Sequence, residues 1–272
     1  MQDFPINMED DPNPLEQALR LAAEDAANRP DFYRLLLEST VFVVGDAEET
    51  EDGDRPVGAG ENVSIHQWQQ PDGSVVIPFF TSPAAVEQAV DGTVSCMGLP
   101  ARTLFESTRG ATLVLNPNNE YGKQFLPEQV EAILAGGVPR LPKQRVEPGD
   151  ASILLGPPQN VPTRMVDALI SFFAKRSEVK AAYMAQLTDE SETDSQSRLA
   201  IGIHVEAGNL DQIFGEIATV AGDTAPRDQR ISLYPISPGA GGLADYFFDH
   251  VTPFYENSWG ARLHNSSGAG HA

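Results

Sequence analysis

The sequence predicts an α+β protein of two domains, the second a ferredoxin-like βαββαβ sandwich with an extra C-terminal helix. Three observations carry this. The chain has 272 residues, long for one core when a domain takes about 150. Helical and strand periodicities alternate along it. Between the two halves, residues 138–150 (VPRLPKQRVEPGD) hold three prolines and no period. The expected division is an α+β domain over 1–137, a linker over 138–150 and the sandwich over 151–272.

In the first domain, residues 13–27 (NPLEQALRLAAEDAA) read as a helix. Asn13 supplies the N-cap, Pro14 suits the first helical position, and Glu16 stands where a capping box needs it. Leu15, Ala18, Leu19, Ala22 and Ala26 share one face. A second helix runs from Pro30 to about Glu38, followed by a β-branched and aromatic strand at 40–44 (TVFVV). Residues 45–62 are acidic, glycine-rich and aperiodic, which predicts a loop rather than a catalytic carboxylate cluster. A hairpin is expected over 64–82, turning at Pro71-Asp72-Gly73. Ser82-Pro83 opens a short helix. Then come a strand at 93–98, a helix at 100–110, a strand at 112–116 and a helix at 127–137.

The second domain reads as strand 151–156, helix 162–177, strands 179–187 and 197–207, helix 210–222, strand 231–236 and helix 243–251. That order is the ferredoxin-like one.

Charge bounds the function. The chain has 39 acidic and 18 basic residues, a net charge of −21. Nucleic acid and anionic membrane are not expected partners, because affinity for both is led by Lys and Arg. No apolar run is long enough to cross a bilayer. The acidic first residues carry no apolar signal core, and Cys96 is the single cysteine. A reducing, cytoplasmic setting follows as the expectation.

The motifs argue against catalysis. Residues 113–130 (LVLNPNNEYGKQFLPEQV) imitate a phosphate loop before a helix. Yet Pro117 stands where the first glycine belongs, Gln124 replaces the Ser/Thr hydroxyl, and Glu120 adds negative charge. The stretch reads as a turn at Asn118, Asn119 and Gly122. Cys96 is expected to be buried and inert at a strand end; a sulfur-transferring Cys96 is the rival reading. His204 and Glu206 share one side of a strand, opposite Leu199, Ile201, Ile203 and Val205. They read as a solvated pair on an open sheet face, without the further ligands of a structural zinc. No cofactor or metal is expected. The last aromatics, Tyr246, Phe247, Phe248, Phe254, Tyr255 and Trp259, either dock the tail on its own domain or form a partner site.

Several stretches together resemble the bacterial enhanced serine sensitivity protein family, SseB. They are residues 28–45, 76–82, 101–134 and 250–260, the most specific being Arg102 to Phe125 and the closing Pro-Phe-Tyr…Trp-Gly. The resemblance covers nearly the whole chain and treats the Gly-Lys turn as a family feature. It implies a cytoplasmic protein linked to serine sensitivity, with no catalytic residues to carry over. The expected activity is therefore non-catalytic binding of a protein partner, through Tyr121, Gly122 and Lys123 on one surface and Phe254, Tyr255 and Trp259 on another. The alternative is an amino-acid (serine-type) sensor resembling ACT domains, with a ligand carboxylate held at the 156–163 turn (GPPQNVPT).

Overall fold

The computed structural model describes residues 13–47, 63–90, 92, 94–135, 153–189, 197–206 and 208–257. The chain divides into two compact units, Met1–Gly136 and Gly137–Ala272. The expected linker 138–150, most of the 45–62 loop and Trp259 lie outside the described residues.

In the first unit, α1 (Pro14–Glu24) is capped by Asn13, whose Oδ1 accepts from the Leu15 amide at 3.0 Å. Glu16 does not close a capping box. Its Oε1 accepts from the hydroxyls of Thr81 and Ser82, each at 2.8 Å. A tertiary contact has taken the carboxylate that the local motif would use. A single 3-10 turn (Ala26–Asn28) joins α1 to α2 (Arg29–Glu38). The strands β1 (Thr40–Ala47), β2 (Val63–Ile65), β3 (Trp68–Gln69) and β4 (Val75–Phe79) follow. The β3–β4 turn has Gly73 at φ 85° and Asp72 accepting from the Ser74 amide, as its sequence predicts. Then come α3 (Pro83–Ala89), β5 (Cys96–Pro100), α4 (Ala101–Ser107), β6 (Leu113–Leu115), β7 (Lys123–Phe125) and α5 (Pro127–Leu134).

These strands make two sheets, ordered β2-β1-β5 and β3-β4-β6-β7. Phe42 and Phe80 tie them by reciprocal backbone hydrogen bonds of 2.9 and 2.8 Å. β4 and β6 run parallel, which needs the long crossover through α3, β5 and α4. The core is aromatic: the rings of Phe79, Phe105 and Phe125 lie 5.7–6.0 Å apart and are fully buried. Such offset and edge contacts add to simple area burial.

The second unit runs β8 (Ile153–Gly156), α6 (Thr163–Phe173), β9 (Val179–Asp189), β10 (Ser197–Val205), α7 (Leu210–Thr224), β11 (Ile231–Ile236), α8 (Leu243–His250) and β12 (Tyr255–Glu256). The element order matches the expectation, but the sheet is not the ferredoxin-like one. A split βαβ unit leaves a space that another strand fills, giving an all-antiparallel sheet. Here the β10–α7–β11 crossover lays β11 directly beside β10 and parallel to it. β8 pairs antiparallel with β9, the very strand that its own helix leads to. Periodicity identifies a strand but not its neighbour, so this difference was invisible to pattern.

Beyond β9 the edge is shared. β8 pairs with residues 186–189 and β12 with 181–182. Among the described residues no strand pairs with 183–185 on that side. Both sheet faces are covered. Ala181, Tyr183, Ala185, Leu187 and Ala200 pack under Ala244 and Phe247 of α8. Leu199, Ile201 and Ile203 on the opposite face are fully buried, with α6 and α7 packed together over them. Burial on both sides explains the nearly continuous apolar run of β10.

Candidate functional site

The 116–125 segment is built around buried Asn116, 5% exposed. Its Oδ1 accepts from the Thr81 amide at 2.9 Å and its Nδ2 donates to the Thr81 hydroxyl at 3.0 Å. Asn116 and Asn118 hold φ 46° and 64°, in the left-handed region; of the three expected turn positions only Asn118 is left-handed, while Asn119 and Gly122 are not. Gly122 is fixed by crowding: a Cβ there would stand 2.8 and 2.9 Å from the backbone oxygens of Asn116 and Leu115. Lys123 begins β7 opposite Leu115 and lies over the rings of Tyr33 and Phe125 at 5.7 and 5.4 Å. The Gly-Lys pair thus has a structural account in close packing and cation–π attraction. The three-residue β7 escaped sequence reading because turn residues crowd against it. Tyr121 packs on the core and borders a shallow cleft of about 230 Å³ with Glu16, Ser82, Asn119 and Glu120. The charge of Glu120 raises the Tyr121 hydroxyl above the usual tyrosine pKa.

The C-terminal aromatics separate. Tyr255 docks on its own unit: its hydroxyl donates to the Phe173 carbonyl at 3.0 Å and its ring lies 5.2 Å from that of Phe173. The Phe254 amide donates to the Ala182 carbonyl at 2.9 Å, and the Asn257 amide to the Lys180 carbonyl at 2.7 Å. These bonds seat β12, a strand too short for any periodicity to reveal.

Phe254 itself lines a cleft of about 460 Å³. It is lined by Pro157, Pro158 and Val161 of the 156–161 loop, by Val166 and Met184, and by Tyr246 and His250 of α8. Val161 is 53% exposed at the lip. The lining holds no Asp, Glu, Lys or Arg. This is the loop expected to cradle an amino-acid carboxylate. Pro157, Pro158 and Pro162 have no amide to offer, Thr163 and Arg164 at the start of α6 keep theirs, and Pro162 caps α6 without a side-chain hydrogen bond. Sequence reading found the loop and Phe254 separately; only the fold joins them.

Cys96 is exposed, against the expectation of burial. β5 is an edge strand with a mostly half-exposed pattern, so its first residue meets solvent. Glu206 is exposed, as expected, but His204 is half-buried under α8. Phe248 of α8 stands edge-on to the His204 ring at 5.7 Å, and Glu206 pairs with Lys180 at 3.3 Å. Among the described residues no group of His, Cys, Asp or Glu could hold a metal ion, and no helix is long and apolar enough to cross a membrane.

Comparison with known proteins now places the chain. Residues 15–132 match the SseB protein N-terminal domain and residues 148–257 the SseB protein C-terminal domain. The chain belongs to the SseB family. Protein SseB of Escherichia coli (strain K12) is 36% identical over 256 residues, 94% of this chain and 96% of the relative. Protein SseB of Shigella flexneri is similar to the same extent. No solved structure matches. The two family domains meet the two described units, and the 460 Å³ cleft falls wholly within the SseB C-terminal domain.

Proposed function

We propose that this SseB family member is a non-catalytic, cytoplasmic binding module that holds an apolar segment of a partner protein in the cleft between the 156–161 loop, α8 and Phe254. The observation that carries this reading is the lining. It is concave and apolar, opens past an exposed Val161, and has no permanently charged group. An ionised amino acid entering it would lose hydration without gaining a counter-charge, so a neutral peptide segment suits it better than free serine. The serine sensitivity in the family name would then act through the partner. In the N-terminal unit, Gly122 and Lys123 are already committed to the fold, which also favours the C-terminal cleft as the contact surface.

The test is Val161→Asp, which places a charge at the lip of an apolar site without emptying the core. A partner captured by crosslinking and rebuilt from two purified proteins should bind the variant at least about tenfold more weakly, with an unchanged unfolding midpoint. Equal binding would place the contact elsewhere.

A further inference from the structure

The cleft coincides with the break in the edge of β9. β8 reaches Gly156, opposite Gln186, and β12 begins at Tyr255, opposite Ala182. Continuing either register would set a proline against Met184: Pro158 from one side and Pro253 from the other. Proline has no amide to give to a ladder, so neither strand can extend to this point with regular pairing. Two prolines thus keep open a gap spanning residues 183–185.

The direction of the gap follows from its neighbours. The carbonyls of Lys180 and Ala182 face β12, where they accept from Asn257 and Phe254. Backbone groups alternate along an antiparallel strand, so the amide and carbonyl of Met184 face the same way, into the break. Met184 also lines the cleft, with Val166 toward one face of the sheet and Tyr246 and His250 toward the other. A main-chain edge therefore sits between apolar side walls.

The geometry points to strand addition: an extended, uncharged segment of a partner protein enters the gap, exchanges two backbone hydrogen bonds with Met184 and buries an apolar side chain beside Val166 and Phe254. This rests on the cleft being the binding site and adds how the partner is held. Charge complementarity selects the occupant, because a lining without Asp, Glu, Lys or Arg matches the interior of a peptide rather than its charged ends. The main chain gives affinity and the walls give side-chain choice.

The experiment uses the full chain and random linear peptides of about twelve residues, displayed and selected for binding. Enriched peptides are remade with a methyl group on one backbone nitrogen at a time. Strand addition predicts that one central position, the donor to the Met184 carbonyl, weakens binding by about tenfold or more when methylated. It also predicts that Val161→Asp weakens the unmethylated peptide and that exchange of the Met184 amide slows in the complex. Peptides that need Val161 yet tolerate every methyl group within about twofold overturn strand addition and leave the cleft reading standing. Peptides indifferent to Val161→Asp, or no enrichment at all, overturn both. If a chain ending at Asn257 binds the same peptides about tenfold more tightly, the protein's own C-terminal segment is the occupant and the partner assignment falls. If dimers of the chain dissociate on adding peptide, a second copy is the occupant, with the same consequence.

Discussion

Gly202 on β10 lies so close to Phe247 on α8 that a Cβ at Gly202 would stand 2.7 and 2.8 Å from two carbons of the ring. Phe247 is fully buried and its ring also meets Tyr183, with centroids 6.1 Å apart, so it has little room to retreat. The absence of a side chain at 202 is what lets α8 close this face of the sheet. Gly202→Ala should therefore destabilise the protein by about 1–3 kcal/mol through overpacking. In a double-mutant cycle, Phe247→Leu should relieve part of that cost. Urea unfolding of the four proteins checks it; an unchanged midpoint for Gly202→Ala would contradict this placement of α8.

The Gly-Lys turn gives a second test. Gly122 is hemmed by backbone oxygens, which cannot swing aside as a flexible side chain can. Gly122→Ala is expected to cost about 1–3 kcal/mol. Lys123→Met keeps an apolar stem beside Tyr33 and Phe125 and loses the cation–π attraction, which is worth about 0.5–1 kcal/mol. A nucleotide loop would show the reverse pattern in binding, with Lys123 dominant. Thermal unfolding of both variants, with and without ATP, separates the two accounts; ATP should leave every midpoint in place.

How much of this was legible in the sequence depends on the range of the interaction. Local chemistry was readable. Asn13 and Ser82 cap the helices they precede, and Asp72-Gly73 makes the predicted hairpin turn. Non-local choices were not. Nothing in the spacing of β8 tells whether it will pair with β9 or interleave as in a ferredoxin-like sheet. Glu16 looked like a capping-box residue because its alternative partners, Thr81 and Ser82, lie about 65 positions away. The cleft shows both sides. Phe254 and the 156–163 loop were each marked by composition, but Met184, Tyr246 and His250 join them only through the sheet edge. Residue type alone leaves Tyr255 either docked on its own domain or an outward anchor, and the structure docks it on Phe173.

An ion pair joins the two helices that cover the other sheet face. Arg176, just beyond α6, donates to Glu216 of α7 from Nη2 at 2.9 Å and from Nε at 3.2 Å. The two side chains are only 19% and 12% exposed, and the guanidinium also stacks over Phe172 at 4.8 Å. A flat cation held by both a carboxylate and a ring is not replaced by lysine. Glu216→Gln should cost about 1.5–3 kcal/mol by removing a charge-assisted bond from a largely dry site. Arg176→Lys should lose the ring stacking and the second bond. Raising salt should leave the difference between wild type and Glu216→Gln nearly unchanged, because a pair this shielded is weakly screened.

Tyr183 links the same sheet to alkaline pH. Its burial, and secondarily the charge of Glu256, raise its pKa above the usual tyrosine value. Its ring lies among Phe247 and Phe248, 7% exposed, where a phenolate would be poorly solvated. The sign follows from linkage. The unfolded chain releases this proton near the ordinary pKa while the folded chain still holds it, so deprotonation favours unfolding. The contribution is intact below that pH and is lost as pH rises through the folded pKa. Wild type should therefore lose more stability between about pH 9 and about pH 11 than Tyr183→Phe, which cannot ionise. Glu256→Gln should fall between them, because it removes the smaller cause and leaves burial. Urea midpoints measured across that range give the comparison; parallel losses in wild type and Tyr183→Phe would show that ionisation of Tyr183 plays no part in alkaline unfolding.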